Sequence, residues 1–327
     1  WPNLEGLVFD VAQLAHPPAP HDAPVDLAVT LGPRAARPLR VDVPLLISGM
    51  AYGMALSARA KIALARGAAL AGTASNAGEG PFLPAERRAA RHLILQFNRG
   101  TWAKEPEILK QADMIEIQIG QGAAAGVGGE VAHARKYPQL KRELGIPPHR
   151  DAVVYSVHRE LQGGRTLGEL VAELRDLTGG VPIGVKLAPG RRLEEDLERC
   201  LAAEVDVIAL DGGQAATKGS PPILQDDFGI PTLHALVRAV RFLERSGARG
   251  DVSLILGGGL YTPGDFLKVL ALGADAVYLG TIALFAVSHG QVFRSLPWEP
   301  PTQVVFYGGK QADRFDVNKG ARHLGNY

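Results

Sequence analysis

The stretch Ser253-Leu254-Ile255-Leu256-Gly257-Gly258-Gly259, followed after one helical segment by Ala276-Val277-Tyr278-Leu279-Gly280-Thr281, decides the fold of this chain. Each piece is a short apolar run that ends in glycine. Two adjacent strand-then-glycine endings are what a (β/α)8 barrel uses to grip a phosphate. Glycine lets backbone N–H groups come close to anionic oxygens, and the following helix adds the positive end of its dipole. Glycine at a strand end also serves as a plain turn, so either site alone reads both ways. Together, at the end of a long series of such units, they point to a phosphorylated cofactor.

Upstream, the same kind of run recurs at Leu45–Gly49, Gly72–Asn76, Leu93–Phe97, Met114–Ile119, Ile183–Ala188 and Val207–Gly212, with Ser253–Gly258 and Ala276–Thr281 completing the set. The runs are β-branched or leucine-rich and end in glycine or a small polar residue, as strands buried on both faces do. Helical stretches separate them at 55–71, 105–112, 166–178, 192–204, 232–246, 263–273 and 282–294; the crossover 83–92 is too short for a full helix. Strict alternation of this length predicts an α/β (β/α)8 TIM barrel, with a doubly wound open sheet as the rival. The proline-rich residues 1–40 read as an extended arm packed across the barrel, 41–296 as the barrel, and 297–327 as an irregular tail that packs on it. The long connections 120–164 and 213–231 are expected over the C-terminal face, where barrel chemistry sits.

Composition narrows the functional classes. A net charge of +1 gives no electrostatic case for nucleic acid. The one cysteine, Cys200, excludes an internal disulfide and a cysteine-ligated cluster on this chain. No apolar run is long enough to span a membrane, which sets a cytoplasmic expectation. The chain opens on Trp1, so an anchor upstream of it is left open.

Several strand ends carry polar groups toward one mouth: Ser48-Gly49-Met50, Asn76 and Glu79, Gln96, Glu116, Gln118 and Gln121, Lys186, and Asp211. Lys186, between Val185 and Leu187, either reaches the mouth or carries a large desolvation cost; a snorkelling lysine at a strand end is the plainer alternative. An amide-rich pocket with one lysine and a phosphate grip suits FMN. Glutamines can pair with the polar edge of the ring, and a lysine can stabilise negative charge on it. His133, His149 and His158 lack metal-ligand spacing and read as surface histidines. His289 faces either the phosphate or solvent, and Asp226-Asp227 reads as a loop pair.

Taken in order, Ile47-Ser48-Gly49-Met50-Ala51-Tyr52-Gly53 with Leu56-Ser57, Ser75-Asn76-Ala77-Gly78-Glu79-Gly80, Glu116-Ile117-Gln118-Ile119-Gly120-Gln121-Gly122-Ala123, Gly128-Gly129, Val185-Lys186-Leu187, Asp211-Gly212-Gly213 and Gly257-Gly258-Gly259 resemble the FMN-binding domain of glutamate synthase and its stand-alone relatives. The likeness runs over residues 44–285. It implies FMN at the C-terminal mouth, with Ser48, Gly49 and Met50 along the isoalloxazine. It implies Asn76 among the cofactor contacts, Gln96, Gln121 and Lys186 at the ring's polar edge, and Asp211 and Gly213 by the ribityl chain. Gly258, Gly259, Gly280 and Thr281 would hold the phosphate. Lys186, Gln121 and Glu79 would be the catalytic residues, with Glu79 on the substrate side.

The chain also departs from that family. Ala283–Gly290 lacks the three clustered cysteines that ligate an iron–sulfur centre, and a glutaminase is not expected. Family lysines correspond to Gln118 and Ala124, a glutamate to Val127 and an arginine to Thr101. Those cations would serve the carboxylates of 2-oxoglutarate, and each lost charge-assisted contact is worth roughly 1.5–3 kcal/mol. Arg150, Arg159 or Arg165 in the long loop would have to compensate. The expected function is an FMN-dependent oxidoreductase that moves hydride between flavin N5 and a small molecule such as an amino or imino acid. A partner protein or NAD(P)H would supply electrons, and a homo-oligomer is left open. The alternatives are a flavin-binding electron-relay or redox-sensing subunit, a flavin-dependent diphosphate isomerase (which would need a second phosphate site and Mg2+), and a purely structural barrel.

Overall fold

The computed structural model describes residues 4–122, 127–215, 220–291 and 302–326. Eight parallel strands close into a barrel: β1 (Leu45–Ile47), β2 (Ala74–Asn76), β3 (His92–Phe97), β4 (Met114–Gln118), β5 (Ile183–Leu187), β6 (Val207–Asp211), β7 (Ser253–Gly257) and β8 (Ala276–Leu279). Each strand pairs with the next, and β8 closes on β1 with Leu279 opposite Ile47. This is the TIM barrel, not the open sheet.

The strands read as continuous apolar runs because both faces are buried. Outward residues such as Leu93, Leu95, Ile115, Ile117, Val185, Ile208, Leu210, Leu254 and Val277 pack under the helices in one cluster. Inward residues Leu46, Ala74, Ile94, Met114, Val207, Ala209, Ile255 and Ala276 fill the barrel in a second. Each large side chain fully buried this way contributes about 1.5–3 kcal/mol.

A hairpin of Val29–Leu31 and Leu39–Val41 plugs the N-terminal pole. Its Leu31, Leu39 and Val41 join the inner cluster, and the Gly32 amide donates to Ser253 Oγ at 3.0 Å. Residues before the hairpin lie largely exposed, among them Val8, Val11 and Leu14.

The helices start on local caps. Ser57 Oγ accepts from the Ala60 amide at the head of α1 (Ala58–Leu70). Thr166 and Glu169 form a capping box on α2 (Leu167–Thr178), which stops at the left-handed Gly179. The short crossover holds a six-residue helix, Pro84–Ala89. The last strand ends earlier than its sequence indicates: Gly280 caps, and Thr281 begins, α3 (Thr281–Ser288). That helix stops at Ser288, short of the expected 294, because His289 is extended and Gly290 turns at φ +71°; residues 292–294, and Pro297, Pro300 and Pro301 of the tail, lie outside the described residues.

After β4 the chain makes an excursion over the C-terminal side. The pair Gly129–Glu130 and Val153–Val154 and two short helices bring Val131, Ala134, Leu140, Leu144 and Ala152 around Trp102 in a small core of their own. Tyr307 of the tail stacks edge-to-face on Tyr52 and Tyr137. The terminal helix Val317–Asn326 packs on α1, with Leu324 against Gly67. Among the described residues no helix is long and apolar enough to cross a membrane.

Candidate functional site

Toward the C-terminal end of the barrel the inward positions turn from apolar to polar, two residues at a time. Ala74 gives way to Asn76, Ile94 to Gln96, Met114 to Glu116 and Gln118, Gly184 to Lys186, and Ala209 to Asp211. Register sets Gln96 beside Glu116 and Gln118 beside Lys186.

Glu116, fully buried, gathers one side of the mouth. Its Oε1 accepts from Asn76 Nδ2 at 2.8 Å and Gln96 Nε2 at 2.9 Å, and its Oε2 accepts from the Tyr278 hydroxyl at 2.6 Å. Gln96 Nε2 also donates to Gln121 Oε1 at 3.0 Å. Asn76 Oδ1 accepts from the Gly78 amide, and the Asn76 carbonyl accepts from Lys61 Nζ. Burial, with the Glu116 charge beside it, pushes the Tyr278 phenol well above its ordinary value.

Lys186 holds the opposite side, 1% exposed, with Nζ 3.3 Å from Asp211 and 4.6 Å from the centre of the Tyr278 ring. Burial works against its charge, but the Asp211 and Glu116 carboxylates outweigh that and hold the ammonium above the usual lysine range. Asp211 is raised, first by burial and then by Glu116, with Lys186 opposing. A snorkelling lysine is therefore excluded: the side chain lies inside, at the mouth.

Glu79 stands half-buried on the loop after β2. Its carboxylate accepts from Gln118 Nε2 at 2.9 Å, and its carbonyl from Trp102 Nε1 at 2.7 Å. Ser48, Gly49 and Met50 lie half-buried at the end of β1. The Ser48 amide is spent on Leu279 O, while those of Gly49 and Met50 have no backbone partner among the described residues. A Cβ on Gly49 would come within 3.0 Å of Asn76 Oδ1 and 3.2 Å of Gln96 Nε2, so only glycine leaves that approach open.

At the expected phosphate grip, the amides of Gly258, Gly259, Gly280 and Thr281 have no backbone partner among the described residues. Gly258 sits at φ +111°, a conformation that orients its amide and is strained for any other residue. The Gly213 amide is bound to Ile230 O at 2.7 Å. Gln96 Oε1 is buried without a partner among the described residues. A buried acceptor that needs a donor, free amides at the paired glycine ends and one charged lysine fit a flavin bearing a phosphate.

Other expectations change. His158 is not a surface residue: it is 1% exposed, stacks on Phe97 and bonds the Gln118 carbonyl at 2.7 Å through Nε2. Its Nδ1 faces Glu160, whose carboxyl would be raised by burial but is held at about 2 by His158 and Lys104. His133 is half-buried and stacks on Tyr137, while His149 and His289 are exposed. Asp226 and Asp227 are exposed.

The loop arginines that would have to compensate are exposed or engaged by other groups. Arg150 is exposed, Arg159 lies over Tyr155, and Arg165 pairs with Glu173. Among the described residues the buried arginine is Arg99, on the loop just after β3, which donates to Ser156 O and feels the Glu79 charge. Thr101 and Val127 are exposed, and Ala123 and Ala124 lie outside the described residues. A cleft of about 380 Å³ at the N-terminal pole, among Arg37, Arg40, Asp42, Arg91 and His92, shares no residue with the mouth, and Arg91 there is already paired with Asp42.

Comparison with known proteins bears on this mouth. A family profile described as the conserved region in glutamate synthase matches residues 23–294. A glutamate synthase large subunit-like protein of Rhizobium meliloti is 34% identical over 289 residues, covering 88% of this chain and 65% of that protein. The archaeal glutamate synthase [NADPH] of Methanocaldococcus jannaschii is 31% identical over 293 residues, covering 88% of this chain and 56% of that protein. This chain thus spans roughly half to two thirds of the relatives it matches. A mandelate oxidase solved with an FMN monooxide adduct shares the fold, with a TM-score of 0.53 at 17% identity over 92% of this chain and 78% of that one. With the profile matched across the whole barrel, the chain belongs to the glutamate synthase family.

Proposed function

We propose that this chain is an FMN-dependent oxidoreductase that transfers hydride between the flavin and a small amino or imino acid. The observation that carries the reading is the buried Gln96 Oε1, an acceptor without a partner among the described residues, on the amide that donates to Gln121, at the end of a barrel with two glycine-rich strand ends. FMN, when bound, supplies a two-electron hydride carrier. The chain's own groups do the rest. Amides of Gly258, Gly259, Gly280 and Thr281 bind the phosphate, and Gln96 and Gln121 hold the polar edge. The Lys186 ammonium offsets negative charge that develops near it. Asn76, Glu116 and Tyr278 keep those groups in register. Glu79 faces the substrate.

Electrons would come from a partner protein or from NADPH, the nucleotide in the names of several relatives. With Cys200 its only cysteine, buried in a helix, this chain supplies no cysteine set for an iron–sulfur centre. One observation favours a second reading, an electron-relay subunit: the positions that would hold carboxylates carry Gln118, Ala124 and Thr101. Anaerobic reduction followed by addition of 2-oxo acids with ammonium separates the two. Reoxidation by one of them supports the oxidoreductase. Reoxidation by electron-acceptor proteins alone supports the relay.

A further inference from the structure

We infer that Glu79 and Gln118 form a subsite for a protonated primary amine, so that the substrate carries an ammonium group where a dicarboxylate would need cations; the inference rests on the oxidoreductase reading of the mouth. Gln118 is fully buried at the end of β4. Its Nε2 donates to Glu79 Oε2 at 2.9 Å, and because an ionised carboxylate can only accept, that bond fixes which way the amide faces. Gln118 Oε1 is then a second acceptor beside the carboxylate, buried and without a hydrogen-bond partner among the described residues.

The backbone of both residues is held in place. His158 Nε2 bonds the Gln118 backbone carbonyl at 2.7 Å, and Trp102 Nε1 donates to the Glu79 backbone carbonyl at 2.7 Å. A carboxylate and an unpaired amide oxygen side by side call for a cationic donor with several N–H groups, which an ammonium provides and a carboxylate does not. The cations of the mouth agree. Among the described residues Lys186 is engaged by Asp211 at 3.3 Å and Arg99 donates to the Ser156 carbonyl at 3.3 Å, so neither is set aside for a second carboxylate. A lysine at position 118 would fill this subsite with the chain's own ammonium, which makes residue 118 a specificity-determining position.

The test is a titration of the FMN-loaded protein with methylammonium at constant ionic strength, read as a flavin difference spectrum, and of the apoprotein by calorimetry, with tetramethylammonium as the control that cannot donate. The expected result is saturable binding of methylammonium alone, weakened at least tenfold in Gln118→Lys and in Glu79→Gln, with 2-oxoglutarate perturbing Gln118→Lys but not the parent. Equal responses to the two cations, or variants that titrate like the parent, would overturn it and leave the two oxygens to water. A protein that takes up FMN but shows no saturable methylammonium binding overturns this inference alone. One that takes up no FMN overturns the oxidoreductase reading, and the calorimetric arm still decides the ammonium subsite.

Discussion

Lys186 Nζ lies 3.3 Å from the Asp211 carboxylate, both buried at the barrel mouth, and among the described residues no other cation pairs with Asp211. The lysine is held charged by neighbours it also neutralises, so its removal has an electrostatic signature. In Lys186→Met the reduced, more negative flavin loses a charge contact worth roughly 1.5–3 kcal/mol. The two-electron midpoint potential is expected to fall by about 30–60 mV. Spectroelectrochemical titration measures it; an unchanged potential would remove Lys186 from the ring's edge.

The buried pair behind the mouth gives a pH dependence. Burial pushes the Glu86 carboxyl up to about 7 from its ordinary 4.5, with Lys61 at 3.0 Å pulling the other way. A folded value above the unfolded one means that the group's stabilising contribution is fully present below pH 4.5 and is lost as pH rises through about 7. Relative to Glu86→Gln, the parent is expected to lose up to about 3 kcal/mol of unfolding free energy between those values. Urea denaturation across that range tests it, and parallel curves for the two proteins would contradict it.

Gly258→Ala is expected to impair both stability and cofactor loading. Its φ of +111° is unfavourable for alanine, and the added Cβ would meet Thr232 Oγ1 at 2.9 Å and the Ala215 amide at 3.0 Å. The strain alone costs about 1–3 kcal/mol. Thermal unfolding and the ratio of bound FMN to protein should both fall. A variant that loads FMN fully would place the phosphate elsewhere.

Thr166→Ala, which removes the capping box on α2, is expected to cost about 1 kcal/mol of stability and to leave the FMN-to-protein ratio unchanged. Loss of FMN in this variant would mean that the long loop before the helix takes part in binding.

The barrel was legible in the sequence because strands buried on both faces leave unbroken apolar runs, and Leu93–Phe97 or Val207–Asp211 can hardly be read otherwise. Their ends were less so. Gly280 and Thr281 continue the apolar run in sequence, yet they cap and begin a helix. Lys186, Gln96 and Asp211 stood out as polar residues inside such runs. Tyr278 did not, because an aromatic fits an apolar strand and only its hydroxyl, 2.6 Å from Glu116, reveals its place. His158 and Arg99 were missed for a different reason. Both are buried by the excursion after β4, whose packing around Trp102 leaves no periodic pattern in the chain.

The most direct measurement is the visible spectrum of the freshly purified protein, with the released chromophore identified by mass. The account predicts a flavin spectrum that yields FMN and lacks the broad absorption of an iron–sulfur centre. A colourless protein that also fails to take up added FMN would contradict it, and with it the oxidoreductase assignment.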